Sequence, residues 1–421
     1  MRISSNTIFN NAVANMDQQQ VLINQTQQQI SSGQRMQTAA DDPTGGARAL
    51  IVTQTDAMNT QYMANGNAAQ GTLSLASATL QSVTGLIQAI QSEVIQAGNG
   101  AYSNADRSSM ATQMSSQLQE LVGLANSTDS SGNYLFSGFQ TNTQPFANTP
   151  AGIGYFGDSG QRNVQVSATQ QIAANDNGAN VFMNIKNGNG TFATQAGTNS
   201  LTPGPNLGSG IISIGSIANP PPTLPLDNYS LSFTVTPGVA GAPDVTTYDV
   251  TDTTTGTAVS TGNPYVSGQN INFAGVQFNI QGAPANGDTF TVTPSSNVSI
   301  FQTISDLITT LNTPVSNSTT GGVSTTTSLT NSLSYGLNNL GNALNNILTT
   351  QSSLGSRQNV ITSLQSTGSN LGLQYQQTLS QLQGVDMAQA ISNLTQQQTN
   401  LQAAEKSFAA TATLSLFSYL R

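Results

Sequence analysis

Both ends of this chain carry an apolar stripe at helical spacing. Near the start, Phe9, Val13, Met16, Gln20, Ile23, Gln27 and Ile30 follow at alternating steps of four and three. Near the finish, Met387, Ile391, Leu394, Gln398, Leu401, Glu405, Phe408 and Ala412 keep the same rhythm, and Leu414 and Leu416 lie just beyond. That spacing draws one narrow, mainly apolar line along one side of each helix. A helix with so narrow a stripe cannot bury itself. It needs a partner helix, either from the other end of the chain or from another molecule. The expectation is therefore a chain whose function lies in association rather than in a pocket. A two-helix pair has little core of its own, so these ends are expected to order when packed among copies.

Inside the terminal stripes, Gly33 closes the first helix as a natural C-cap. Asp42 reads as the N-cap of the next, with Pro43 at its first position. The best stretch of that helix, Leu73, Ala76, Leu80, Val83, Ile87, Ile90, Val94 and Ala97, is unbroken at three-four spacing. From Thr44 to Ala97 it would be roughly 80 Å long. Gly98-Asn99-Gly100 ends it. A further helix spans about 104–126, with Met110, Met114, Leu121 and Leu124 on one side. Asn133 to Phe139 then reads as a short strand entering a hairpin.

From about 147 to 299 the heptads vanish and short alternating runs take over. They are Tyr229 to Thr236, Thr246 to Asp252, Ile271 to Phe273, Val276 to Ile280 and Asp288 to Thr293. This is the pattern of an antiparallel β domain. The stretch 187–225 is looser and reads as an extended link or a small β subdomain. Heptads resume after Ser299: Leu333, Leu337, Leu340, Leu344 and Ile347 are in register, Leu354 and Ile361 keep it, and Leu371, Leu379 and Leu382 continue a stripe towards Gly384.

The predicted fold class is α+β: an elongated helical coiled-coil bundle formed by both chain ends, with an antiparallel β domain inserted at its tip. The predicted domains are 1–33 with 387–421 for polymerisation, 34–146 with 300–386 as a helical rod, and 147–299 facing outward, subdivided near 187–225.

Composition narrows the function. The 421 residues exceed what one core usually organises. Only 6% are charged, against about a quarter in ordinary globular chains. Low charge removes like-charge repulsion between copies packed side by side. The net charge is −9 and the only lysines are Lys186 and Lys406, so no basic patch is present to neutralise nucleic-acid phosphates. Histidine and cysteine are absent, which removes imidazole and thiol catalysis, most metal sites and all disulfides. The start of the chain lacks the apolar segment of an ordinary signal peptide. No run of ~20 apolar residues predicts membrane insertion.

Candidate chemistry yields to structural readings. Asp41 beside Asp42 could hold metal or share a proton, but the Pro43 that follows makes Asp42 a helix cap. Asp249 and Asp252 sit in a Thr-rich strand and turn without a calcium-loop pattern. Gly45-Gly46 lacks the Lys-Ser/Thr of a phosphate loop and instead lets helices approach closely. Gln18-Gln19-Gln20 and Gln27-Gln28-Gln29 are the solvated face of an amphipathic helix. No catalytic residue, metal ligand or cofactor site is predicted, and the chain is not expected to be an enzyme.

Ile30-Ser31-Ser32-Gly33-Gln34-Arg35, then Ala40-Asp41-Asp42-Pro43 and Ala47-Arg48-Ala49-Leu50, resemble the N-terminal signature of the flagellin superfamily. Met1-Arg2-Ile3-Ser4 with Thr7-Ile8-Phe9, the Asp-Asp-Pro triplet, and Gly132 to Phe139 with Thr143-Gln144-Pro145-Phe146 are similar to its junction members rather than to filament subunits. Lys406 through Leu420 also resembles this family. The resemblance covers roughly 1–146 and 300–421. It implies a secreted, extracellular part of the bacterial flagellum, exported by the flagellar type III apparatus with the aid of a chaperone. It further implies a ring of copies between hook-associated protein 1 and flagellin. The residues expected to form the subunit-association stripes are Phe9, Val13, Met16, Ile23, Ile30, Met387, Ile391, Leu394, Leu401, Phe408, Leu414 and Leu416. The alternatives are a filament subunit and, from another class, a secreted adhesin that binds through its β region.

Overall fold

The computed structural model describes residues 5–38, 40–202, 204–222, 226–239, 243–315 and 325–414. Among the described residues, six α-helices frame the chain. They are α1 (Ser5–Ser32), α2 (Pro43–Ala97), α3 (Asn104–Ala125), α4 (Ile300–Asn312), α5 (Thr326–Gln383) and α6 (Met387–Leu414). The described strands lie between α3 and α4, beginning with β1 (Phe146–Thr149), β2 (Gly152–Tyr155), β3 (Asn163–Gln165), β4 (Gln171–Ala173) and β5 (Ile185–Lys186), so the architecture is α+β with helical ends and a central antiparallel β region. The chain divides into two compact units. One holds residues 1–65, 166–169 and 362–421; the other holds 66–165 and 170–361. Helices α2 and α5 supply residues to both.

In the second unit the helices bury the predicted stripes. Leu73, Leu80, Val83, Ile87, Ile90 and Ala97 of α2 are completely or almost completely enclosed. On α5, Leu340, Ile347, Leu354 and Ile361 fall seven residues apart and are equally buried. Small residues sit beside them: Ala343 is buried, and a Cβ added to Gly336 would lie 2.5 Å from Leu307 Cδ2. Large and small positions thus interlock. Among the described residues one helix, α2, is long and apolar enough by composition to cross a membrane, although no such segment is expected from runs of apolar residues alone. Its apolar side is the stripe that packs inside this unit.

The β region is built around two sheets. The five-stranded sheet has the order β11 (Thr257–Pro264), β10 (Val245–Asp252), β9 (Tyr229–Thr236), β14 (Thr289–Pro294), β6 (Phe192–Ala196). The other pairs β12 (Asn270–Phe273) with β13 (Val276–Gln281), which also pairs β7 (Ile211–Ile212) and β8 (Ser216–Ile217). Alternation sets the faces. Tyr229, Leu231 and Phe233 of β9, Val276, Phe278 and Ile280 of β13, and Phe290 and Val292 of β14 all enter one core. The register places Phe290 opposite Leu231, and Tyr248 opposite Phe233. The looser stretch 187–225 is not an extended link. It supplies β6, β7 and β8 to these sheets.

One predicted strand does not form. Residues 133–139 make turns, and only Tyr134 bridges, to Thr128. Leu135, Phe136 and Ser137 are consecutive and all buried, which a two-faced strand does not allow. Gly138 has φ +77°, and a Cβ there would collide with the Asp158 carboxylate. Phe136 instead stacks edge-on against Phe182, which also meets Phe146 edge-on.

The β region is held to α5 by amides. Asn331 donates to Gly210 O (3.0 Å) and accepts from Ile212 N–H (3.0 Å). Asn339 accepts from Gly188 N–H, Asn342 donates to Lys186 O and Gly188 O, and Asn346 donates to Asn180 O and Val181 O. Nearby Arg357 pairs with Asp176 and donates to Ala173 O. These side chains bond backbone groups in loops, short strands and a helical turn of the β region.

Candidate assembly surface

In the first unit the terminal helices meet each other. α1 and α6 pack side by side. The Phe9 and Phe408 rings are 4.9 Å apart, Thr26 Oγ1 donates to Gln397 Oε1 at 3.0 Å, and Gln34 bridges Gly384. Residues early in α1 therefore meet residues late in α6, an antiparallel pair. The two helix breaks are tied as well: Arg35 N–H donates to Gln383 O at 2.7 Å and Val385 N–H to Gly33 O at 3.1 Å. Gly33 makes this possible at φ +69°, ending α1 with its N–H on Gln29 O. The seams expected to order only among copies thus already cover one another within a single chain.

The observed seam shifts the expected phase at several positions. On α1, Val13, Met16 and Ile30 are half-buried and Ile23 is buried, joined by Gln19 and Thr26 in place of Gln20 and Gln27. On α6, Leu394, Leu401 and Phe408 are half-buried, joined by Ala390, Gln397 and Ala404 in place of Ile391, Gln398 and Glu405. Small and amide side chains fit where two helices run close. Met387 and Ile391 consequently turn outward, 47% and 54% exposed. Val21 and Leu22 of α1 and half of Phe9 are also uncovered. The Leu414 side chain and Leu416 lie outside the described residues.

Two features went unread in the sequence. Leu50, Ile51 and Met58 form a second apolar line on α2, exposed beside the buried Gly45 and Ala49. Its signal was present as a four- and seven-residue recurrence from Ala47. The other is the amide ladder on α5, whose spacing of Asn331, Asn339, Asn342 and Asn346 also marks one helix face.

The adjoining carboxylates act on backbone. Asp42 Oδ1 accepts from Gly45 N–H (2.9 Å) and Thr44 Oγ1 (3.0 Å) at the head of α2, while Oδ2 pairs with Arg35 at 3.2 Å. Asp41 Oδ2 accepts from Gln37 and Thr38 N–H at 2.9 Å. The Gly45 N–H above all holds the Asp42 carboxyl below its ordinary range, and the Thr38 N–H does so for Asp41. Asp249 accepts from Gly262 N–H, and Asp252 closes the turn at Thr254 and Thr255. Among the described residues, no three His, Cys, Asp or Glu side chains gather as metal ligands would.

Residues 3–141 match the bacterial flagellin N-terminal helical region, and residues 337–420 match the C-terminal one. The crystal structure of flagellar hook associated protein-3 from Legionella pneumophila superposes with a TM-score of 0.69 at 31% identity, covering 79% of this chain and 98% of that one. This chain belongs to the flagellin family. Its similarity is to the hook-associated protein 3 members. FlgL of Xanthomonas campestris superposes with a TM-score of 0.68 at 28% identity, over 78% of this chain and 99% of that one. Flagellar hook-associated protein 3 of Salmonella typhimurium is 32% identical over 185 residues, 44% of this chain and 58% of that protein. The chain thus matches rather over half the length of that curated relative. The helical ends carry the two flagellin regions, and most of the β region lies between them.

Proposed function

We propose that this chain is a structural adaptor of the bacterial flagellum, forming the ring that joins hook-associated protein 1 to the flagellin filament. It works outside the cell, after export through the flagellar type III apparatus with a chaperone's help. The observation that carries this reading is the uncovered apolar set on the terminal pair: Met387, Ile391, Val21, Leu22 and part of Phe9. A pair of 28-residue helices that buries one seam and leaves further apolar side chains uncovered is suited to packing among copies. Similarity to hook-associated protein 3 supports a position at the junction. Low overall charge supports close lateral packing.

A filament subunit is the competing reading, favoured by the two flagellin-type end regions. A deletion strain separates the two. Loss of an adaptor leaves hooks without filaments and flagellin shed into the medium. Loss of a filament subunit leaves flagellin absent and the junction ring in place. Immunogold labelling of intact flagella then gives one narrow band at the hook's end for an adaptor, and label along the whole filament for its rival.

A further inference from the structure

The seam between α2 and α3 holds two buried oxygens that lack a donor. Gln117 Nε2 donates to Glu93 Oε1 at 3.1 Å. The other oxygen of each group, Glu93 Oε2 and Gln117 Oε1, is shielded from solvent and has no hydrogen-bond partner. An ionised carboxylate and an amide oxygen are both pure acceptors, so they cannot satisfy one another. Burying two acceptors unpaired is costly. One proton on Glu93 removes the conflict. Oε2–H then donates to Gln117 Oε1 while Gln117 Nε2–H donates to Glu93 Oε1, closing a ring of two hydrogen bonds between acid and amide.

We propose that Glu93 and Gln117 form a protonated acid–amide latch that holds α3 on α2 and opens when Glu93 ionises. Burial pushes the Glu93 carboxyl up, and the Gln117 hydrogen bond offsets this only in part. The charged groups on the surrounding helices are engaged elsewhere or exposed. On α3, Asp106 caps its own helix at Ser103, Arg107 donates to Ala97 O and Asn104, and Glu120 is exposed. Asp306, the one charge on α4, accepts from Gln302, and Arg357, the one charge on α5, pairs with Asp176. The remaining titratable group on α5 near this level, Tyr335, accepts from Asn187. None of these supplies the missing donor.

A carboxyl that holds its proton more tightly when folded stabilises the fold fully below its unfolded pKa, and loses that contribution as pH rises through the folded value. The test is Glu93→Gln in the full chain, whose amide carries the donor at every pH. The melting temperature of the variant should equal that of the parent near about pH 4, below the ordinary glutamate value, and exceed it by roughly 2–4 °C near about pH 8. Isotope-edited infrared spectra of the parent should show a protonated-carboxyl C=O stretch that persists above the usual glutamate range and is absent from the variant. An offset that is the same at both pH values, or a parent spectrum with no such band, overturns the latch.

Discussion

Asn331 shows how much one side chain decides. It is 6% exposed and bonds both Gly210 O and Ile212 N–H, fastening β7 to α5. Replacing it with Leu strands a buried carbonyl and a buried N–H. The expected loss is about 2–3 kcal/mol, read by denaturant unfolding of the full chain. Asp42 acts at the other kind of residue site, an exposed helix start. Its carboxyl is held below the ordinary 3.8 by the Gly45 N–H. Its contribution is therefore present above that value and fades as pH falls through the lowered one. Asp42→Asn keeps a capping oxygen without the charge. The melting-temperature gap between it and the parent should close in acid, and a gap that stays constant across an acid titration would contradict this account.

At the scale of elements, the terminal helices separate two roles that their shared stripe had merged. Leu394 and Leu401 face α1, whereas Met387 and Ile391 face away. Changing Met387 and Ile391 to Gln should abolish assembly while leaving the helix content of the isolated protein unchanged. Changing Leu394 and Leu401 to Asp should lose both, because helices of this length are marginal without tertiary partners. Circular dichroism with sedimentation distinguishes the pairs. Equal effects from both would mean that the outward face has no role of its own.

For the whole molecule, the β region depends on the helix it docks against. Backbone groups at Asn180, Gly188 and Gly210 are bonded by Asn331, Asn339, Asn342 and Asn346 of α5. A fragment of residues 147–299 keeps the core around Phe233, Phe278 and Phe290 but leaves those groups to water. Its amides in 180–188 and 210–212 should exchange at least tenfold faster than in the full chain, since local opening no longer breaks bonds to α5. Equal protection in both would show that the ladder is dispensable.

The sequence by itself determined the helices and several β strands, because their signals are local. A three-four stripe from Leu73 to Ala97 and strict alternation from Tyr229 to Phe233 fix which side must leave water, whatever the partner. The family was legible too, since its signature lies in those same helical ends. Only the tertiary structure decided which phase of each terminal stripe is covered. Seven-residue repeats offer two neighbouring lines on one helix, and the choice between Thr26 and Gln27, or Ala390 and Ile391, rests on which side chains fit across the seam. The turn at 133–139 was hidden for a related reason. Its aromatic residues suit a strand, but the buried Phe182 and the Asp158 carboxylate that shape it lie 19 or more positions away, beyond the reach of any local pattern.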